Sequence, residues 1–107
     1  MTEQALFILV SLAQGELHGY GIARDVEELS DGQVRLTAGT LYGALNRLSE
    51  EGLVEPAGER KVHGRRRRYY RITATGHAAL SAEVERLRRA AATLSARVAA
   101  RPAPGLA

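Results

Sequence analysis

The sequence predicts a mainly α fold of the α+β class, in which three helices, a β-hairpin and a long C-terminal helix follow one another. Three observations indicate it. Apolar residues recur at helical spacing before residue 52, two β-type segments flank a turn between 53 and 73, and an apolar seam of period 3.5 follows. The 107 residues, 45% hydrophobic and 25% charged, have the composition of one globular domain.

The first helix is expected from Glu3 to Gln14 and is apolar around most of its circumference. We place four residues on one face, Leu6, Leu9, Val10 and Ala13, with Phe7, Ile8 and Leu12 around the rest. A helix that is apolar on nearly all sides must be covered on nearly all sides. Because one small domain covers one face, we expect a second subunit to cover another.

The second helix begins at the glycines around Tyr20 and runs to about Leu29. Thr37 is the expected N-cap of a third helix from Ala38 to about Glu51. The residues predicted to be buried on this third helix are Leu41, Ala44, Leu45 and Leu48.

The opposite face of the third helix carries small and hydrogen-bonding residues. These are Gly39, Tyr42, Gly43 and Asn46, with Thr40 and Arg47 on the flank. Such a face lets a helix backbone approach a binding partner closely. The alternative is that the glycines mark a weak helix, since each costs about 1 kcal/mol.

A hairpin follows Gly52, with strands expected at 53–55 and 68–73 and a turn at 61–64. It carries most of the positive charge. Its seven basic residues are Arg60, Lys61, Arg65, Arg66, Arg67, Arg68 and Arg71. The remaining 8 basic and 12 acidic residues sum to −4, so the positive field comes from this one segment. Such a patch suits a polyanion, although a solvated basic loop is the alternative.

Thr73 is the expected N-cap of the C-terminal helix, which is predicted to continue to about residue 101. Its apolar seam consists of Leu80, Val84, Leu87, Ala91, Leu94 and Val98. About three heptads are short for an independent coiled coil, and the chain has nothing left to bury them. We therefore expect a dimer interface made of this seam together with Leu6, Phe7 and Val10. The predicted organisation is a first domain at 1–73, a dimerisation helix at 74–101 and a disordered tail at 102–107 that contains Pro102 and Pro104.

Several classes of protein are excluded by composition. The chain has no cysteine, which excludes disulfides, thiolate zinc sites and cysteine nucleophiles. His18, His63 and His77 lack the spacing of metal ligands, and no nucleophile and base are grouped. We expect no enzyme activity, cofactor or metal. The longest apolar stretch is far short of the ~20 residues of a membrane span, and no secretory signal begins the chain, so a cytoplasmic location is expected.

The order of helix, helix, helix, hairpin and helix is that of a winged helix-turn-helix protein. In such proteins the third helix enters the major groove of DNA while the hairpin, or wing, lies against the adjacent backbone or minor groove. The helix face best suited to a groove and the most basic hairpin are consecutive here, and together they predict double-stranded DNA as the partner.

Four motifs resemble the PadR family of bacterial transcriptional regulators. They are LHGYGI at 17–22, GTLYGALNRL at 39–48, EGLV at 51–54 and GRRRRYYRIT at 64–73, within a match from about Leu6 to Leu87. The resemblance implies a homodimer that binds an inverted-repeat operator, represses a nearby promoter and, as in many members, is released by a small effector or a stress signal. The single C-terminal helix is similar to the small subgroup of the family.

Three residues depart from the family pattern. Ala38 and Gly43 stand where the family usually has prolines in its third helix, and Arg66 replaces a proline of the wing. These changes are expected to loosen the start of the helix and to make the wing more basic and more flexible. They bear on the preferred operator sequence.

The DNA-binding residues expected from the pattern and the resemblance are Tyr20, Thr37, Gly39, Thr40, Tyr42, Asn46, Arg47, Lys61, His63, Gly64, Arg65, Arg66, Arg67 and Arg68. Tyr42 and Asn46 are expected at base edges or the border of the backbone, and the start of the third helix at phosphates. The wing arginines are expected to supply mostly nonspecific attraction.

Some side chains keep two interpretations at this point. Tyr20 is either a phosphate contact or a packed aromatic, and Arg47 either touches DNA or pairs with Glu50 or Glu51. Tyr70 is expected in the core, because it shares a strand face with Ile72.

Two further hypotheses concern partners. The rival function is a winged-helix adaptor that binds protein without specific DNA binding. A small effector is expected at the dimer interface, in an apolar cavity lined by Phe7, Leu87 and Leu94. No tryptophan is present to stack on a flat aromatic molecule there.

Overall fold

The four helices and the hairpin follow one another in the predicted order. The computed structural model describes residues 1–100, so the predicted tail with Pro102 and Pro104 lies outside the described residues. The elements are α1 (Glu3–Ala13), β1 (Leu17–His18), α2 (Gly19–Leu29), α3 (Ala38–Glu50), β2 (Val54–Val62), β3 (Arg65–Ile72) and α4 (Ala74–Ala99).

Each helix begins at a side chain that accepts a hydrogen bond from a backbone N–H of the first turn. Thr37 and Thr73 cap α3 and α4 as predicted, and Thr2 and His18 cap α1 and α2. After α3 the chain reverses through Gly52, whose φ of +74° is in the left-handed region. These local signals explain why the helix boundaries were predicted to within one or two residues.

The wing is the two-stranded hairpin of β2 and β3, and β1 adds a third strand that the sequence did not predict. The sheet order is β1-β3-β2, with Leu17 opposite Tyr70 and His18 opposite Tyr69. A two-residue strand is too short to show an alternating pattern. The wing strands also extend further than predicted, up to a two-residue turn at His63 and Gly64, both with positive φ.

The hydrophobic core lies where α1, α2, α3 and the base of the sheet meet. The predicted buried stripe of α3 is confirmed, and so is the position of Tyr70 in the core. In α1 the predicted face is only partly correct, because Ala13 is exposed. The residues of α1 that are buried in the core are Ile8, Leu9 and Leu12.

The fourth helix begins inside the core and then leaves it. Gly76 and Leu80 are the buried residues of α4. Residues 86–89 and 91–100 are all exposed in the isolated chain. The chain extends over 68 × 27 × 21 Å, and in residues 1–100 no helix is both long and apolar enough to cross a membrane.

Candidate nucleic-acid interface

The outer face of α3 is exposed as the sequence predicted. Thr37 lies at its start, and Gly39, Thr40, Tyr42, Asn46 and Arg47 are exposed along it. In the part of the chain that the structure describes, Arg47 makes no ion pair with Glu50, Glu51 or any other carboxylate. Asn46 lies one helical turn after Tyr42, so both side chains lie on the same exposed face.

The first turn of α3 is fixed by its cap. The Thr37 hydroxyl oxygen accepts a hydrogen bond from the Thr40 N–H at 3.2 Å, and the Thr37 hydroxyl donates to the Thr40 side-chain oxygen at 3.0 Å. Thr37 is therefore occupied by its own helix. Unused N–H groups and the positive end of the helix dipole face outward at this end, which is the ordinary physical basis of an anion contact.

Tyr20 lies on the surface beside the wing, and not in the core. Its ring is 57% exposed. The guanidinium of Arg67 on β3 is 5.7 Å from the ring centroid and that of Arg24 is 5.8 Å from it. This exposure does not fit the packed aromatic, and the phosphate contact stays a prediction. Its contact with Arg67 connects the start of α2 to the wing.

A cleft of about 270 Å³ brings three predicted DNA-binding residues together. Tyr20 from α2, Tyr42 from α3 and Arg67 from the wing surround it, over a floor that includes Ala23 and Leu36. Elements that are far apart in sequence thus present aromatic rings and a guanidinium around one concave surface. The Nε of Arg67 is buried with no hydrogen-bond partner among residues 1–100.

The predicted basic segment is less positive than its sequence indicates, because distant carboxylates neutralise part of it. Arg60 bonds Glu16, and Arg71 lies 3.6 Å from Glu16 and 2.7 Å from Glu55. The Arg60 hydrogen bond, together with the charges of Arg60 and Arg71, lowers the pKa of Glu16. These pairs persist at neutral pH.

At the outer end of the wing the basic residues differ in their pairing. Arg66 lies 3.3 Å from Glu59. Among the described residues of the wing, the basic side chains without a carboxylate at ion-pair distance are Lys61, Arg65, Arg67 and Arg68. The charge available to a polyanion is therefore concentrated in the outer half of the wing, next to His63 and Gly64 at its tip.

His18 supports the start of α2. Its Nδ1 accepts a hydrogen bond from the Gly21 N–H at 3.0 Å, and its ring packs edge-on against Tyr69. Burial, and secondarily the charge of Arg67, lower the pKa of His18. The imidazole is thus held neutral as an acceptor. The sequence predicted no role for His18, since the three histidines lack the spacing of metal ligands. Histidine is not among the usual N-cap residues, so no local signal indicated this cap.

The seam of α4 is exposed beyond its first two turns. Leu94 and Val98 are 63% and 85% exposed, and Val84, Leu87 and Ala91 are also exposed. Leu80 differs, since it is buried in the core of its own chain and has almost no surface left for a partner. On α1 the predicted interface residues Leu6, Phe7 and Val10 are half-buried and pack against the edge of the core.

The described residues contain no group of three or more histidine, aspartate or glutamate side chains arranged to hold a metal ion. His63 is at the wing tip and His77 is exposed on α4.

Comparison with known proteins places this architecture among transcription regulators. The model of the transcriptional regulator PadR-like family matches residues 8–82. The chain is 43% identical over 76 residues to the transcriptional regulator Rv3488 of Mycobacterium tuberculosis, a match that covers 71% of this chain and 67% of the relative.

Solved structures share the fold at lower identity. A PadR family transcription regulator from Clostridium difficile superimposes with a TM-score of 0.77 at 23% identity, over 91% of this chain and 99% of that one. Bacillus subtilis PadR, solved in complex with operator DNA, gives a TM-score of 0.68 at 20% identity. The match covers 100% of this chain and 53% of that one.

Proposed function

The chain belongs to the PadR-like family of transcriptional regulators, and from this premise we propose that it binds an inverted-repeat operator as a homodimer and represses the adjoining promoter. The family match confirms the resemblance of its four motifs. The chain is a transcriptional regulator and not an enzyme. The proposal extends to release by a small effector.

The observation that carries the proposal is the meeting of Arg67, Tyr20 and Tyr42 around one cleft. A winged-helix protein binds DNA when its third helix and its wing contact the same stretch of duplex. The cleft joins these two elements through side chains that favour a sugar-phosphate backbone: guanidinium for phosphate, aromatic rings for sugar and base edges.

On the outer face of α3, Asn46 is proposed to read a base and Tyr42 to contact a base edge or the border of the backbone. An exposed amide can bond adenine through two hydrogen bonds, and an aromatic ring can contact a thymine methyl. Arg47 lies on the flank of the same face without a carboxylate partner in the described chain, which favours a DNA contact.

The start of α3 is proposed to contact phosphate. Because Thr37 is occupied by its cap, the contact would come from the Gly39 N–H and the Thr40 hydroxyl. Thr37 then acts by holding this first turn in place.

The outer wing is proposed to supply the sequence-independent attraction. Lys61, Arg65 and Arg68 are exposed, and Arg66 keeps a partial partner in Glu59. His63 and Gly64 form the turn that places these side chains on either side of the wing tip. Each phosphate neutralised contributes about 0.9 to the slope of log K against log salt concentration.

The exposed seam of α4 is proposed to pair with the same seam of a second copy and with its α1. An unburied stripe of leucine and valine this long is unfavourable in water and is removed from it by dimerisation. A two-fold dimer places two third helices on one side, and half-sites about 34 Å apart would fit them. Bacillus subtilis PadR, whose fold matches, was solved with operator DNA, which supports a DNA partner.

The test is binding to a DNA fragment from upstream of the protein's own gene, measured by fluorescence anisotropy over a salt series, with a scrambled fragment as reference. We expect tighter binding to the upstream fragment and a loss of orders of magnitude in affinity over a few-fold rise in salt. Asn46→Ala should reduce the preference for the upstream fragment by about 10- to 100-fold and leave the salt slope unchanged.

The double variant Arg65→Gln/Arg68→Gln should weaken binding to both fragments alike and reduce the salt slope by up to about 3.6, because two arginines are lost from each of two subunits and each neutralised phosphate contributes about 0.9. Arg88→Gln/Arg89→Gln is its matched control, because it removes the same charge from α4, away from the wing. Equal effects of the Asn46 and wing variants on both fragments would contradict the assignment of roles.

The rival protein adaptor makes a different prediction in the same assay. It gives little salt dependence and no preference for the upstream fragment.

A promoter reporter tests repression, since deletion of the gene should raise expression from the adjoining promoter. A bacterial regulator binds the chromosome in the cytoplasm. We therefore include a cytoplasmic location in the proposed function.

A further inference from the structure

Gly19 is the first residue of α2, and its missing side chain has a packing cause. It is buried, and its φ is not in the left-handed region that favours glycine. Any residue could adopt this backbone conformation. The requirement for glycine must therefore come from what lies against its α-carbon.

The atoms that exclude a side chain at position 19 belong to Tyr42. A Cβ built on Gly19 would lie 2.6 Å from the Tyr42 hydroxyl oxygen and 3.1 Å from its Cζ, with Leu41 Cδ2 at 3.4 Å. The first distance is shorter than real Cβ contacts, so one methyl group at this position would displace the phenol. Tyr42 is nevertheless 45% exposed. Its hydroxyl end rests on α2.

On the third helix itself, a Cβ at Gly39, one turn before Tyr42, would meet no atom within 4 Å, so this position does not touch the ring. The close contact of the phenol is with the start of α2, and this contact limits the direction of the ring. That direction also shapes the cleft that Tyr42 shares with Tyr20 and Arg67.

We propose that Gly19 is a positioning residue for sequence discrimination: it leaves room for the Tyr42 phenol to lie against α2, and so holds the ring in one direction on the DNA-facing surface. The proposal rests on the proposed DNA-binding function. A side chain ordered before binding loses less rotamer entropy in the complex, and a misdirected ring would meet the wrong base or none.

The test compares Gly19→Ala with Gly21→Ala in the full-length protein. Both changes add one methyl group to the first turn of α2. At position 21 the added carbon would lie 3.5 Å or more from His18 and Leu17, which is ordinary contact. We expect Gly19→Ala to lose about tenfold of the preference for the upstream fragment over the scrambled one, with the salt slope unchanged. Gly21→Ala should keep both.

A second pair of variants shows whether the effect acts through Tyr42. In a Tyr42→Ala background, the further change Gly19→Ala should leave the preference unchanged, because the displaced ring is gone. The proposal is overturned if Gly19→Ala behaves like Gly21→Ala, or if it causes the same additional loss without Tyr42. If Gly19→Ala alone does not fold, Gly19→Ala/Tyr42→Ala should fold, and its failure to do so counts against the proposal.

A DNA-independent measurement separates this inference from the proposed function. In protein with ¹³C-labelled tyrosine, the ring resonances of Tyr42 should shift in Gly19→Ala and stay in place in Gly21→Ala. Unshifted resonances contradict the placement of the ring. If the resonances shift in Gly19→Ala but the wild-type protein shows no preference for the upstream fragment, the placement of the ring stands and the DNA-binding function is contradicted.

Discussion

Single residues are most constrained where two backbones meet, as they do at Gly76. It is buried in the first turn of α4, and its φ is ordinary. A Cβ there would overlap the Leu53 carbonyl oxygen and lie 2.9 Å from Ile72 Cγ1. The obstacle is backbone, which cannot rotate away as the Tyr42 ring can.

Gly76→Ala is therefore predicted to destabilise the fold by about 3 kcal/mol, because overpacking against fixed atoms forces the helix and the wing base apart. Urea unfolding followed by circular dichroism measures this change. Gly39→Ala is the control, since its methyl meets nothing and should stabilise α3 by up to about 1 kcal/mol. A Gly76→Ala protein as stable as wild type would show that the two segments are not in close contact.

The contacts around Gly76 join two chain reversals at the base of the wing. The Thr73 N–H donates to the Leu53 carbonyl oxygen at 3.0 Å, and the Thr73 hydroxyl donates to the Gly52 carbonyl oxygen at 2.6 Å. The same hydroxyl oxygen accepts from the Gly76 N–H at 2.9 Å. Thr73 thus caps α4 and ties the end of α3 to the end of β3.

At the scale of the element, ion pairs with carboxylates reduce the net positive charge of the basic run in the wing. In sequence, the segment from Arg60 to Arg71 contains no acidic residue. In the sheet, Glu16 meets Arg60 and Arg71 from before β1, and Glu59 meets Arg66 from β2. Exposed pairs of this kind add little stability, but they divide the wing into a paired base and a basic tip.

The stability of the start of α2 depends on pH, because its cap is a histidine. The Nδ1 of His18 must be unprotonated to accept the hydrogen bond from the Gly21 N–H. The pKa of His18 is lowered from its ordinary 6.5 by burial and by Arg67. A depressed pKa means that the unfolded chain binds the proton more readily. Stability is then full above about pH 6.5 and falls as the pH decreases towards the pKa of the folded state.

We predict that the unfolding midpoint of the wild-type protein decreases between about pH 7.5 and pH 5.5, a window above the titration of the carboxylates. His18→Asn keeps a cap that does not titrate and should show a smaller decrease. Thermal unfolding at the two pH values measures it. The same pH dependence in both proteins would contradict the role of His18.

At the scale of the whole molecule, the isolated chain is too extended for a single compact domain. Its radius of gyration is 17.9 Å, whereas a compact chain of this length has about 13 Å. The excess comes from α4, which has Leu80 in the core and projects its later seam residues into solvent. A second copy is the simplest cover for this surface.

Leu87→Asp/Leu94→Asp is predicted to weaken the dimer by about 100-fold or more, because each buried leucine contributes about 1.5–3 kcal/mol and the changes act twice in a two-fold interface. Sedimentation velocity at micromolar concentration measures it. Ala96→Asp on the opposite face of α4 should leave the dimer intact. Operator binding should be lost together with the dimer, and a wild-type protein that sediments as a monomer would contradict the interface.

Local and periodic features of the fold were predictable from the sequence. The caps at Thr37 and Thr73, the buried stripe of α3 and the turn at Gly64 depend on neighbours within a few positions. The α1 face was only partly predicted, since periodicity does not show which side of an all-round apolar helix meets the core.

The candidate interface was predictable as a set of residues but not as an arrangement. The exposed face of α3 and the basic wing follow from spacing and charge. The β1 strand, the Glu16 pairs and the contact of Tyr42 with Gly19 join positions far apart in the chain. No local pattern encodes such contacts.

By itself, the sequence determined the order of the helices and the hairpin, the helix boundaries and the two surfaces of opposite character, a basic wing and an apolar seam. The tertiary structure alone decided which arginines have a carboxylate partner, which glycines are required by packing, and where Leu80 lies. The physical reason is range: hydrogen bonds of caps and turns span a few residues, whereas charge pairing and close packing depend on distances that only the folded chain sets.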